Sequence, residues 1–178
     1  MWDLTTGTPV RTLTGHTCGV SAVAVTLLGD RPHAVTGGYE GSVWDLTTGS
    51  QVRKLTGRTG RVRAVAVALL GDHPHAVTGG YEGSVRVWDL TTATPVRELT
   101  GHTGAVSAVA VTLLEDRPHA VTSGGGLYDD GSVRVWDLTT GTCLTTFHFP
   151  DAVRAVTLTA DGTVVAALSL EPLVRRLR

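Results

Sequence analysis

Residues 81–92 read YEGSVRVWDLTT, and 42 residues earlier, at 39–48, the chain reads YEGSVWDLTT, the same letters with two residues missing. The number two is informative. Side chains on a β-strand alternate between faces, so losing one residue turns every side chain beyond the gap to the opposite face, while losing two leaves them in place. An even gap inside a repeated word therefore points to a strand on which Trp44 and Trp88 serve the same face. The missing pair reads as the counterpart of Arg86 and Val87, within that strand.

Working outward, WDLTT begins at Trp2, Trp44, Trp88 and Trp136, at spacings of 42, 44 and 48 residues. A fixed period of this size is the mark of a repeat architecture. LTGHTCGVSAVAVTLLGDRPHAVTGGYEGSV from Leu13 returns as LTGRTGRVRAVAVALLGDHPHAVTGGYEGSV from Leu55 and as LTGHTGAVSAVAVTLLEDRPHAVTSGGG from Leu99. In the second copy, apolar or alternating runs at 62–70, 75–79, 84–90 and 95–100 predict four strands, separated by GDHP, GYEG and TTAT. Pro95 and its counterpart Pro9 lack a backbone donor, which places the fourth run at a sheet edge. The first run is apolar on both of its faces, so each sheet must be sandwiched between neighbours. Four-stranded antiparallel sheets stacked face to face form a β-propeller.

With Gly15-His16 and Gly101-His102 opening units that close on SVRVWD, the chain resembles the WD40 repeat family over nearly its whole length. The resemblance implies an all-β propeller of four four-stranded antiparallel blades, open or forming half of a larger ring. Residues 1–15 form a partial repeat that supplies an outer strand. Blades follow at 16–57, 58–101 and 102–145, with a degenerate fourth blade at 146–178. The third unit carries four extra residues within TSGGGLYDDG (122–131), whose glycines mark a loop extension. In the fourth unit Phe149, Ala167, Leu177 and Arg178 stand where the histidine, threonine, tryptophan and aspartate belong, and only Glu171 retains its counterpart.

The family also implies a buried hydrogen-bonded set in each blade. Carried over by position, this is His16, Thr36, Glu40 and Trp44 in the first, and His102, Thr122, Asp130 and Trp136 in the third, with Ser123 an equal candidate for the Thr122 role. The second blade has Thr78, Glu82 and Trp88 but places Arg58 at the histidine position. A histidine beside a carboxylate and a hydroxyl also resembles a catalytic triad. Its recurrence in successive blades favours a structural role, because an active site needs one convergent constellation.

Composition restricts the functions available. The 178 residues are 42% hydrophobic and 17% charged, with 22 glycines and a net charge of −1, and fourteen of the fifteen basic residues are arginines. Near-neutrality leaves no electrostatic footprint for nucleic acid, and the longest apolar run, AVAVALL, is strand-sized rather than membrane-sized. Met1 is followed at once by Trp2 and Asp3, which predicts no signal peptide and a cytoplasmic protein. Cys18 and Cys143 match no ligand or redox spacing and read as incidental thiols. His33, His73, His75 and His119 invite a metal reading, but three of them occupy one place in three different blades, so no metal or other cofactor is expected.

The expected function is a non-catalytic scaffold for protein–protein interaction in a signalling or regulatory assembly. Its partner surface is expected at Tyr39, Tyr81 and Tyr128, which recur before the turn carboxylate, with Arg58 adding local charge. A propeller-type hydrolase with chemistry at the central channel, near Ser21 and Ser107, is the alternative; an inactive fragment of a longer multi-repeat protein is another. Arginine-rich, near-identical tandem copies look like the WD40 proteins of high-GC actinobacteria, where such repeats often follow signalling modules. Small residues on the repeated faces suit a gentle turn between blades, so two chains pairing head to tail into an eight-bladed ring are expected.

Overall fold

The computed structural model describes residues 1–56, 60–125, 131–159 and 161–168, and the backbone of 172–176. Fifteen strands run in chain order: β1 (Ala22–Leu28), β2 (Arg31–Gly37), β3 (Gly41–Asp45), β4 (Gln51–Leu55), β5 (Val62–Leu70), β6 (His73–Gly80), β7 (Val85–Asp89), β8 (Thr94–Leu99), β9 (Val106–Leu114), β10 (Arg117–Gly124), β11 (Ser132–Asp137), β12 (Cys143–His148), β13 (Val153–Leu158), β14 (Thr163–Leu168) and β15 (Pro172–Arg176). Among the described residues, consecutive strands within a sheet pair antiparallel, giving three four-stranded sheets, β1-β2-β3-β4, β5-β6-β7-β8 and β9-β10-β11-β12, and a fourth of three strands, β13-β14-β15. The third sheet runs on through β12 to His148. Residues 1–15 join none of these sheets; they form a hairpin bridged at Trp2 and Pro9.

The two-residue gap lies elsewhere than the lettering suggests. Trp44 pairs with Ala34, Val43 with Val35 and Ser42 with Thr36, as Trp88 pairs with Ala76, Val87 with Val77 and Arg86 with Thr78. Val43 and Ser42 therefore occupy the places of Val87 and Arg86, and the loss is taken by the turn, which bridges Thr36 and Ser42 where the second sheet adds a further rung, Gly79 with Val85. A shortened turn keeps both the ladder beside the tryptophan and the facing of every side chain. It also moves Glu40 into the position that Ser84 and Ser132 hold.

Stacking follows from which residues each face offers. Val35, Val43 and Leu55 of the first sheet pack on Trp88 and Leu90 of the second, and Val77, Val85, Val87 and Leu99 pack on Trp136 and Leu138 of the third. The third junction has no tryptophan and sets Val121, Val133 and Val135 against Val153, Leu158, Val164 and Ala166. A fully buried tryptophan removes about 200 Å² from water, which at about 25 cal/mol/Å² contributes up to about 5 kcal/mol before entropy is counted. The inner strands approach so closely that a β-carbon at Gly79 would lie 2.5 Å from Val106 Cγ1.

The sheets do not close into a ring. Val20, Val23 and Val25, on the face of the first sheet that no other sheet covers, are 51%, 63% and 59% exposed. Their counterparts Val62 and Val106 are fully buried, and Val65, Val67, Val109 and Val111 are half-buried against the preceding sheet.

Candidate functional site

The threonine near the end of each second strand sits directly across the ladder from its hairpin partner and beneath the tryptophan, so three polar groups meet in an apolar junction. In the third sheet Trp136 Nε1 donates to Thr122 Oγ1 at 2.8 Å, and His102 Nε2 lies 2.8 Å from the same oxygen. His102 Nδ1 lies 3.1 Å from Ser132 Oγ. A hydroxyl that accepts from the indole has its one proton for Nε2, which leaves Nδ1 to donate to the serine. In the first sheet Trp44 Nε1 donates to Thr36 Oγ1 at 2.8 Å and His16 Nε2 lies 2.7 Å away. The second sheet keeps the indole donation, Trp88 to Thr78 at 2.9 Å, and Thr78 points its proton toward Arg86 O. Arg58 lies outside the described residues.

Gly15 precedes His16 for a physical reason. Its φ is +142°, and a β-carbon would come within 3.1 Å of Trp44 Cη2. Glycine alone takes that backbone while letting the imidazole sit against the indole, ring centres 5.3 Å apart.

The carboxylates depart from the set that the family implies. Glu40 is exposed and forms an ion pair with Lys54 at 3.2 Å, so its carboxylate is spent on the outer strand of the sheet. Glu82 is exposed on its turn, beside Gly60. Asp130 and Tyr128 lie outside the described residues. Of the two candidates in the third sheet, Thr122 takes the tryptophan, while Ser123 is fully buried and donates across the junction to Val153 O at 3.1 Å.

A second carboxylate set recurs where sequence reading assigned no role. Asp3, Asp45, Asp89 and Asp137 each accept the backbone N–H two residues ahead at 2.7 Å, and the one after it at 3.1 to 3.3 Å. These Asx turns close each WDLTT hairpin. Donation from Thr48 N–H, with Thr47, Arg31 and His33 adding to it, lowers the carboxyl pKa of Asp45. At Asp89 the Thr91 hydroxyl lowers it, and at Asp137 burial raises it but the donors Thr140 and Thr139 more than offset that. The repeated WD and TT letters are the signal that marks this set.

The RPH and HPH histidines spend one ring nitrogen locally: His33 Nδ1 on Arg31 O, His75 on His73 O and His119 on Arg117 O, at 2.8 to 2.9 Å. Among the described residues no group of three His, Cys, Asp or Glu side chains is placed to hold a metal ion, and no helix is long and apolar enough to cross a membrane. Ser21 accepts from Arg61 at 3.5 Å and Ser107 donates to Gly125 O, so both hydroxyls serve loop contacts. Cys18 and Cys143 are exposed free thiols.

A further clasp spans neighbouring sheets. Arg97 at the outer edge of the second sheet donates to Thr140 O at 2.6 Å and Thr139 O at 2.9 Å in the third, its side chain stacked over Gly141. Arg11 lies over Gly49 in the same way. The recurrence of VRTL, VRKL and VREL signals these arginines in the sequence.

The family description WD domain, G-beta repeat matches residues 7–45, 49–89 and 93–137. The chain belongs to the WD40 repeat family. Its fold is an open β-propeller of the WD40 type, similar to the computationally designed Ika8 protein (27% identity, TM-score 0.77, 97% of this chain) and the computationally designed Ika4 protein (26%, TM-score 0.75, 97% of this chain and 99% of that one). The chain spans 50% of Ika8. No curated protein sequence matches it. WD40 repeats typically act as non-catalytic platforms for protein interaction, and the buried threonine–tryptophan pairs with a histidine bonded to them in the first and third sheets of this WD40 chain fit a pin that shuts a turn.

Proposed function

We propose that the chain is a non-catalytic scaffold that captures a protein partner on the rim carrying Tyr39 and Tyr81, within a signalling or regulatory assembly. One observation carries this reading: Tyr39 and Tyr81, at matching turns of successive sheets, are 70% and 62% exposed, while the tryptophans of the same strands are buried. The two turns adjoin, since Val62 N donates to Gly38 O and Tyr81 N to Arg61 O. Tyrosine held open beside a glutamate on a rigid hairpin combines contact area with a hydrogen-bonding tip, the chemistry of an interface anchor. Of the polar groups that resemble a triad, Thr36, Thr78, Thr122 and His102 are buried, and His16 is spent on Thr36.

The test is capture from cell extract on immobilised protein, read by mass spectrometry, with wild type beside Tyr39→Ala/Tyr81→Ala. Specific partners are expected to disappear with the double variant while its melting temperature stays within about 1 °C, because both side chains are at the surface. Equal capture by both proteins removes the tyrosine rim from the reading.

A further inference from the structure

Every internal junction of the stack is built from one pair of faces. The back face offers Val35, Val77 or Val121, each fully buried, and the front face of the next sheet offers Val62, Val106 or Val153, buried likewise. The two ends of the chain carry the same two faces uncovered. At the first sheet the front face shows Val20, Val23 and Val25, each more than half exposed. At the fourth sheet the back face shows Val165 and Ala167, half-buried, with Ala155 and Thr157 exposed. Val165 pairs with Thr157 as Val121 pairs with Ala110, which places it at the Val121 position. The ladder puts Ala166, not Ala167, at the threonine position; Ala167 holds the place of Ser123, so this junction type already accommodates a β-carbon there.

Strand count points the same way. Among the described residues the fourth sheet has three strands, while residues 1–15 form a WDLTT hairpin with a following outer-strand sequence that joins no sheet. That segment already sits where an outer strand of a preceding sheet belongs: Arg11 over Gly49 repeats the placement of Arg97 over Gly141, with Cδ 2.5 Å from the added β-carbon in both cases. Three further strands would make a full sheet with that segment in front of the first sheet, and three strands are what the fourth sheet has.

We propose that the occupant of the bare front face is the fourth sheet of a second copy, whose three strands are completed by residues 9–15 of the first, and reciprocally, giving a closed ring of eight sheets from two chains. Within one chain these ends stay apart, with Val23 in solvent and residues 1–15 unpaired with β15. The structural likeness to half of Ika8 accords with a stack of this curvature continuing to twice the length. Each end face, four strands 4.8 Å apart and about five residues long, measures roughly 300 Å². Two junctions cover four such faces, roughly 1,200 Å², the lower bound for a stable specific interface. A head-to-tail contact that closes by rotation ends at a fixed copy number rather than growing.

Sedimentation velocity with light scattering on the 178-residue chain tests this. The expected species has twice the 18.6 kDa chain mass. Val23→Arg, on a side chain that is 63% exposed in one chain, is expected to convert it to a monomer with an unchanged far-UV spectrum and at least a tenfold weaker association. A wild-type monomer overturns the proposal, as does a dimer that survives Val23→Arg, or a ladder of open-ended oligomers. Were Val23→Arg to unfold, Leu4→Asp/Val10→Arg on the unpaired segment provides the same reading, dimer loss for the ring and dimer retention against it.

Discussion

The first and third sheets share almost every letter from LTGHT to RPHAVT, yet their interiors differ. His102 is buried at 8% exposure and has hydrogen-bonding neighbours at both ring nitrogens, whereas His16, bonded to the matching threonine at 2.7 Å against 2.8 Å, is half-exposed. Val106 is fully buried; its twin Val20 is half in solvent. Near-identical sequence thus gives the same strands and the same threonine–tryptophan bond, with Trp44 and Trp136 both buried, while the burial of the histidine and of the first strand depends on whether another sheet stands in front.

The comparison breaks most sharply at the tryptophans. Trp136→Ala removes a fully buried indole between the second and third sheets and is expected to cost about 4 kcal/mol. Trp2→Ala, in the same repeat word but 66% exposed in one chain, is expected to cost less than about 0.5 kcal/mol there. Urea unfolding of the monomeric form measures both. Comparable losses would mean that stacking on the preceding sheet is not what holds the array.

Next is the hydroxyl hub. Thr122→Val keeps shape but leaves the Trp136 N–H without its acceptor and His102 Nε2 without a donor in a buried place, an expected loss of about 2 kcal/mol. Thr36→Val strips the same bonds where His16 can turn to water, and about 1 kcal/mol is expected. The ratio of the two, read from denaturant midpoints at equal slope, measures how much the covering sheet adds to one hydrogen-bond set. A ratio of one would place the whole effect in the hydrogen bonds and none in burial.

Much of this is legible in the sequence. The period, the two-sided apolar first strands and the proline at the fourth give four small antiparallel sheets in a stack, because strand alternation and turn chemistry are local properties. What went astray was positional. Aligning the GSV letters put the two-residue gap inside a strand and left Glu40 opposite His16; the ladder instead anchors on Trp44 and Val35 and lets the turn absorb the loss, so Glu40 moves to the edge and pairs with Lys54. Letters in a turn have no pairing partner to hold them, so their alignment carries no register. The aspartates of WDLTT and the clasp of Arg97 recur in the letters without showing their role, because their partners are backbone groups, which residue-by-residue pairing of side chains does not reach.

Those aspartates set the smallest of the expected effects, and one that should be nearly equal in all sheets because it is local to each hairpin. A carboxyl whose pKa in the folded chain lies below its unfolded value contributes its full stability above about pH 4 and loses it as the pH falls through the folded value. Asp45, Asp89 and Asp137 are all shifted down by donors within their own turns. Stability is therefore expected to hold level from pH 7 to about pH 5, as far as these groups determine it, and to drop below about pH 4. Asn at any one of the three still offers Oδ1 to both backbone donors, so the turn survives while its charge does not. Each of Asp45→Asn, Asp89→Asn and Asp137→Asn is expected to flatten the acid limb of the melting curve by a similar step, in the first sheet as in the third. A step present at Asp137 and absent at Asp45 would show that the covering sheet reaches even this outer turn, and that the difference between a bare blade and a covered one extends beyond its core.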